Sequence, residues 1–259
     1  MSAARRLEGL GVVLTRPRAA AEVLAAALAR EGAHPFVFPA LAIEDLAPSP
    51  RGEEALARLP QCAFAIFVSA NAVERGLAVA RARGPWPQAT RVAGIGEATA
   101  LALRNSGFDS VISPRERHDS EALLALPEMR AVKGCNVIVF RGEGGRERLR
   151  EVLESRGAQV DYVECYRRIR PRTDPSGLIA AWRRGEVHAV SALSAETLEN
   201  FLAMVGDAAI EPLRSTTLVV PHAAIAAHPD ARRFARVLVA SPGSEGLVNA
   251  LSQLRVTTP

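Results

Sequence analysis

The sequence predicts an α/β protein built as two similar doubly wound domains, each with a mostly parallel sheet, arising from an internal duplication. Three observations carry this. Short apolar runs (VVL at 12–14, AFAIFV at 63–68, NVIVF at 136–140, STTLVV at 215–220, RVLVA at 236–240) alternate with helical patterns of roughly ten to fifteen residues. Such alternation requires crossover connections and hence parallel strands. The chain also resembles itself at an offset of 124 to 126 residues, and its 259 residues suit two domains of ordinary size.

The repeat begins at the first strand. GVVLTRPRAAAEVLAAALAREGA (11–33) has the plan of CNVIVFRGEGGRERLREVLESRGA (135–158): an apolar run, an arginine (Arg16 or Arg141), an amphipathic helix, then Gly32 or Gly157 where a helix C-cap belongs. FVSANAVERGL (67–77) pairs with ALSAETLENFL (192–202). FDSVISPRERHDSEALLAL (108–126) pairs with FARVLVASPGSEGLVNAL (234–251), matching Phe108 to Phe234 and Ser120-Glu121 to Ser244-Glu245. Two extended stretches, HPFVFPALAIEDL (34–46) and QVDYVECYRRIRP (159–171), occupy equivalent places. They read either as outer strands of each sheet or as strands crossing between domains.

Composition narrows the function. With 48% apolar and 23% charged residues the chain is a globular one, and charges such as Arg16 and Arg30 interrupt every stretch long enough to cross a bilayer. The N-terminus, MSAARRLEGLGVVLTRP, is too short and polar in its apolar part for a signal peptide, so a cytoplasmic location and no membrane partner are expected. Cys62, Cys135 and Cys165 form no CxxC pair, and His222 and His228 are off the i,i+4 spacing, so no metal is expected. The net charge of +4 rests on arginine, Lys133 being the only lysine. That suits a small anionic ligand, while the absence of a basic tail or aromatic-basic stripe argues against nucleic acid.

In doubly wound sheets ligands sit beyond the C-terminal strand ends, where loops enter helices. Neither GIGEAT (94–99) nor RGEGGRE (141–147) completes a dinucleotide fingerprint, and no P-loop or GxSxG is present, so no organic cofactor is expected. What remains is a set of helix entrances whose free N–H groups can receive anions. Pro17 is expected at the first position of the first helix, Asn71 with Glu74 as a capping box behind Ser69, and further entrances at Gly96 to Thr99, at Ser120-Glu121, and at Arg141 to Arg146 with its exposed glycine backbone. Tyr166, in VECYRRI, is one of only two tyrosines; it can cap an apolar patch or donate a proton to a leaving oxygen.

Taken in order, VVLTRPRAAAEVLAAALAREGAHPFVFPALAI, FVSANAV, GEATA (96–100) and VIVFRGEGGRERLREVLESRGAQVDYVECYRR resemble the uroporphyrinogen-III synthase family over nearly the whole chain. The resemblance implies two α/β domains joined by a two-strand connector: residues 1–37 with 169–259 as a discontinuous domain, 42–163 as an inserted one, and 38–41 and 164–168 as connectors. It implies cofactor-independent cyclisation of hydroxymethylbilane, a linear tetrapyrrole with eight carboxylates, to uroporphyrinogen III. Water is lost and ring D inverted, through an azafulvene and a spiro intermediate. A monomer is expected. By the same resemblance Tyr166 assists departure of the hydroxyl, while Arg16, Ser69, Thr99, Arg141, Gly142, Arg146, Ser194 and His222 contact the substrate.

One loop departs from the family pattern. Where a glycine-proline turn with threonine is usual, the chain reads VVPHAAIAA (219–227), with Val220 for the glycine and Ala223 for the threonine. Side-chain contacts from this loop are then reduced to what His222 supplies. This leaves a second reading, a non-catalytic module binding a tetrapyrrole or another polycarboxylate.

Overall fold

The computed structural model describes residues 5–254 except 116 and 118, so the first four residues of the N-terminal stretch lie outside it. In chain order its strands are β1 (Gly11–Leu14), β2 (His34–Val37), β3 (Ala42–Asp45), β4 (Phe64–Phe67), β5 (Arg91–Gly94), β6 (Val111–Ile112), β7 (Asn136–Gly142), β8 (Gln159–Ile169), β9 (Ala189–Ser191), β10 (Thr217–Val220) and β11 (Arg236–Val239). They form two sheets, ordered β11-β10-β9-β1-β2 and β3-β8-β7-β4-β5-β6. The five strands of the first sheet pair in parallel throughout, as do β8, β7, β4, β5 and β6 of the second. The chain divides into two compact units, Met1–Ala42 with Ile169–Pro259, and Ile43–Arg168.

The duplication is visible in the topology. Stepping outward from β1 in the first sheet and from β7 in the second meets strands of the same ancestry, β9 against β4, β10 against β5 and β11 against β6, with β2 and β8 on the other side. The stretch 34–46 supplies a strand to each sheet, β2 to the first and β3 to the second, whereas 159–169 is one long strand of the second. Of the three strands absent from the apolar runs read in the sequence, β5, β6 and β9, the last two are only two and three residues long, and β5 (RVAG) has just Val92 as a large apolar residue. Strands that short give a weak alternation signal.

Each sheet is covered on both faces because successive residues of a buried parallel strand point to opposite sides. In the first unit Val12 and Leu14 pack with Leu24, Leu28 and Leu247, while Val13, Val190 and Leu218 pack on the other face with Trp182, Leu198 and Phe201. In the second, Ile66, Val137 and Val139 meet Leu123, Met129 and Leu153, and Ala65, Phe67 and Phe140 meet Val73 and Leu77. The Phe67 and Phe140 rings stack at 4.7 Å. The helix Ala70–Arg81 closes onto this stack through Gly76, where a Cβ would come within 2.7 Å of the Phe140 ring. That contact fixes the helix whose first turn enters the site described below.

Two helix starts differ from the sequence reading, at Ser69 and at Pro17, and one agrees. Ser69, not Asn71, is the N-cap of Ala70–Arg81: its backbone is extended and its Oγ accepts the Ala72 N–H at 3.1 Å, whereas Asn71 is already helical. The helix Ser120–Ala125 begins where the sequence places it, with Asp119 as its N-cap accepting from the Ala122 N–H at 2.8 Å. Pro17, with ψ 140°, stands one residue before the helix Arg18–Arg30 rather than in its first position. The expected helix-ending glycines are present: Gly32 and Gly157 follow their helices with φ of +93° and +85°. No helix among the described residues is long and apolar enough to cross a membrane.

Candidate active site

In the second unit the C-terminal ends of β4, β7 and β8 bring Ser69, Gly142 and Tyr166 into direct contact. Ser69 follows β4 by two residues and is held by its own capping bond, which leaves the hydroxyl proton free. The Ser69 Oγ lies 3.0 Å from the Tyr166 hydroxyl. Tyr166 is buried, 3% exposed, against the helix Ala70–Arg81 side of the sheet. It reaches that side through a β-bulge: the register passes from Arg141 opposite Glu164 to Gly142 opposite Tyr166, skipping Cys165. Cys165 and Tyr166, neighbours in sequence, therefore pack in the same core.

Arg141 is placed differently from the expectation of an open anion receptor. Its guanidinium is buried and filled, with Nε and Nη2 donating to Glu164 Oε1 at 3.2 and 2.9 Å and Nη1 to Glu147 Oε1 at 2.9 Å. Burial alone would discourage its charge, but the two carboxylates outweigh that and hold its pKa above the ordinary arginine value. It also lies over the Tyr162 ring at 3.9 Å, with Arg150 over the same ring at 4.0 Å. Burial raises the Tyr162 pKa. Arg146 is exposed and Arg141 Nη1 donates to its carbonyl, so its side chain is directed by nothing in that contact. Thr99 is buried in the helix Glu97–Asn105, its methyl close to Gly94.

The sequence reading missed Glu164, Glu147 and Tyr162 as the residues that hold Arg141. Glu147 was within reach of a local argument, six residues on in the same loop. Glu164 becomes its neighbour only through strand pairing.

In the first unit Arg16 stands at the end of β1, bordering a small cavity of about 40 Å³ with Ser191, Val220, Pro221 and Ser241. Its Nε is buried and has no hydrogen-bond partner among the described residues. Burial lowers its pKa. Such an uncompensated donor gains by meeting a carboxylate. Ser194 caps the helix Ala195–Val205 as Ser69 caps its own, accepting from the Thr197 N–H at 3.1 Å, but its hydroxyl turns to Thr197 Oγ1 at 2.8 Å. His222 is exposed at the mouth of the short helix Ala223–Ala226 without a side-chain capping bond. Counted from the N-cap, the third helical residue there is the buried Ile225, where Glu97–Asn105 has Thr99.

A cavity of about 1050 Å³ in the second unit runs beside β6 and includes none of these residues. Arg91, Arg104, Arg115 and Arg117 share its walls with Glu97, Glu121 and Glu128, so both signs are interspersed there. No cluster of three or more His, Cys, Asp or Glu suited to a metal ion occurs among the described residues.

A family profile described as Uroporphyrinogen-III synthase HemD matches residues 22–249. The uroporphyrinogen-III synthase of Salmonella typhimurium is 35% identical over 192 residues, covering 73% of this chain and 78% of its own. That of Escherichia coli is 30% identical over 197 residues, covering 76% and 80%. Among solved structures, a mutant uroporphyrinogen III synthase from Thermus thermophilus has a TM-score of 0.59 at 20% identity, covering 95% of this chain and all of that one. The uroporphyrinogen-III synthetase of Helicobacter pylori has a TM-score of 0.61 at 14% identity with the same coverage. These two likenesses are of fold. The match across most of the sequence, on a duplicated pair of parallel sheets, places the chain in the uroporphyrinogen-III synthase family.

Proposed function

We propose that the protein converts hydroxymethylbilane to uroporphyrinogen III, and that Tyr166 is the group that helps the terminal hydroxyl leave. The observation that carries the second part is the hydrogen bond between Tyr166 and Ser69. Ser69 Oγ already accepts the Ala72 N–H, so its own proton can be donated to the tyrosine oxygen. The phenolic proton is then free to pass to the departing oxygen. As the C–O bond breaks, water carries that proton away, and the Ser69 hydroxyl steadies the phenolate left behind. The cationic azafulvene is attacked by the substituted carbon of ring D. The spiro intermediate reopens and closes with ring D inverted, and the proton lost as the last pyrrole regains aromaticity restores the balance.

The remaining work is positioning. A flexible chain must be held where attack at the substituted carbon is favoured over closure at the free one. Arg16, with its unpartnered Nε, is the strongest candidate for a carboxylate, and helix entrances at Ser69, Ser194 and His222 add backbone donors. Thr99, Arg141, Gly142 and Arg146 complete the proposed set. Arg141 enters this set indirectly, through the loop it holds, since Glu147 and Glu164 engage its donors and balance its charge.

Freshly prepared hydroxymethylbilane, incubated with the protein and resolved into product isomers, tests this reading. Type III product is expected; type I alone, as in spontaneous closure, under conditions where a control synthase makes type III, would sink it. The apolar Ile225 in place of a hydroxyl favours the second reading, a polycarboxylate-binding module without catalysis. That module would bind the bilane and leave the isomer ratio at its spontaneous value.

A further inference from the structure

Gly142 and the bulge opposite it form a seat for the Tyr166 ring. We infer that Gly142 is a positioning residue for the reaction: its missing side chain lets the ring approach the β7 backbone directly, so that the phenol reaches Ser69. This inference rests on the proposed role of Tyr166.

Glycine is required at a position either by conformation or by space. Two residues on, Gly144 has φ +69° and open space around it, so conformation is its reason to be glycine. Gly142 is not among the positive-φ glycines, so backbone freedom does not explain it. Space does. A Cβ built there would lie 2.7 Å from Cε2 and 2.8 Å from Cζ of Tyr166, and 3.2 Å from its hydroxyl. These atoms belong to a rigid, buried ring that cannot swing aside as a lysine end would.

The backbone on both sides is also fixed. Glu143 N–H donates to the Tyr166 carbonyl at 2.8 Å, just past the bulge, and Cys165 Sγ lies 3.5 Å from the Arg141 carbonyl. The bulge turns Tyr166 to the Ser69 face, and the bare α-carbon of Gly142 sets how deep the ring sits. One period of 125 residues earlier the chain has Pro17 and Leu41 in place of Gly142 and Tyr166. The seat and the ring that uses it are absent together from the other copy.

Gly142→Ala tests this. Turnover at saturating substrate is expected to fall about 10- to 100-fold with KM within about 3-fold of the parent, because the methyl displaces the proton donor without removing a binding group. In a Tyr166→Phe background, already lacking the hydroxyl, the same change should cost less than about 3-fold. The two tyrosines also permit a direct readout. With ¹³C-labelled tyrosine, the resonances lost in Tyr166→Phe identify Tyr166. Gly142→Ala should move them and leave those of Tyr162 in place. Unmoved Tyr166 resonances, or a full additive loss in the Tyr166→Phe background, would overturn the seat. Should Gly142→Ala fold poorly, the methyl ought to cost no further stability once the ring is gone, in Gly142→Ala/Tyr166→Ala against Tyr166→Ala; an equal loss there would also overturn it. A Tyr166→Phe protein as active as the parent would instead remove the catalytic reading of Tyr166, with the labelled resonances still reporting whether Gly142 seats the ring.

Discussion

The two halves share one plan and have parted at four matched positions. Arg16 and Arg141, Ser194 and Ser69, Leu41 and Tyr166, Pro17 and Gly142 are each separated by 125 residues. In the second unit the arginine is filled by Glu164 and Glu147, the serine meets a tyrosine, and a glycine seats that tyrosine. In the first, the arginine keeps a buried Nε without a partner and the serine bonds only within its own helix turn. The same scaffold thus presents a buried tyrosine hydroxyl bonded to serine in one copy and an arginine with an unpartnered buried Nε in the other. Duplication supplies two equivalent sets of helix entrances, and a few side chains set how each is filled.

The sharpest way to break this comparison is at Tyr166. Tyr166→Phe should slow formation of the type III product by about 10- to 1000-fold, in the range of a lost general acid. Tyr162→Phe, which keeps the ring between Arg141 and Arg150, should change turnover less than about 2-fold. Steady-state rates with isomer separation check both, and equal effects would erase the distinction between the tyrosines.

The arginines should separate stability from binding. Arg141→Met leaves two carboxylates without their donor and is expected to lower unfolding free energy by about 2 kcal/mol, moderated because both carboxylates are partly exposed. Arg16→Met loses no hydrogen bond at Nε, so stability should stay within about 0.5 kcal/mol of the parent while KM rises about 10-fold. Denaturant unfolding alongside steady-state kinetics measures both.

Smaller still is the loss at the caps. Ser69→Ala and Ser194→Ala should each cost about 1 kcal/mol in denaturant unfolding, since each removes one capping bond of 3.1 Å.

The smallest effect concerns pH. His188 Nδ1 accepts the Gly11 N–H at 2.9 Å, and burial, helped by His34, lowers its pKa below the ordinary 6.5. The folded first unit therefore binds this proton less readily than the unfolded chain. Its stability is full above pH 6.5 and declines as the pH falls from there toward the folded value. The matching residue of the second unit is Ala63, which cannot titrate. Amide exchange protection on β1 should weaken on acidification more than on β7, and His188→Asn should flatten the difference.

Much of this is legible in the sequence because it is written locally. The repeat, the helix-ending glycines and the serines at 69 and 194 depend on spacing within one strand-helix unit. The site is legible as a set of residue types at strand ends. Its connections are not. Glu164 reaches Arg141, and Tyr166 reaches Gly142, only through the pairing of β7 with β8 and the bulge within it. The adjacent buried pair Cys165-Tyr166 breaks the alternation of a strand, but a sequence does not say which residue opposite is skipped. Asn71 reads as a cap because it lies three residues before Glu74. The helix starts earlier because the backbone at Ser69 is extended and its hydroxyl reaches Ala72.

The central claim, that two equivalent serines have come to do different work, is tested most directly by single-turnover formation of type III product at saturating substrate in Ser69→Ala and Ser194→Ala. With matched losses of stability, Ser69→Ala should slow the chemical step about 10-fold through its bond to Tyr166, and Ser194→Ala should leave it within about 2-fold of the parent. Equal slowing by both, or slowing by Ser194→Ala alone, would contradict the account.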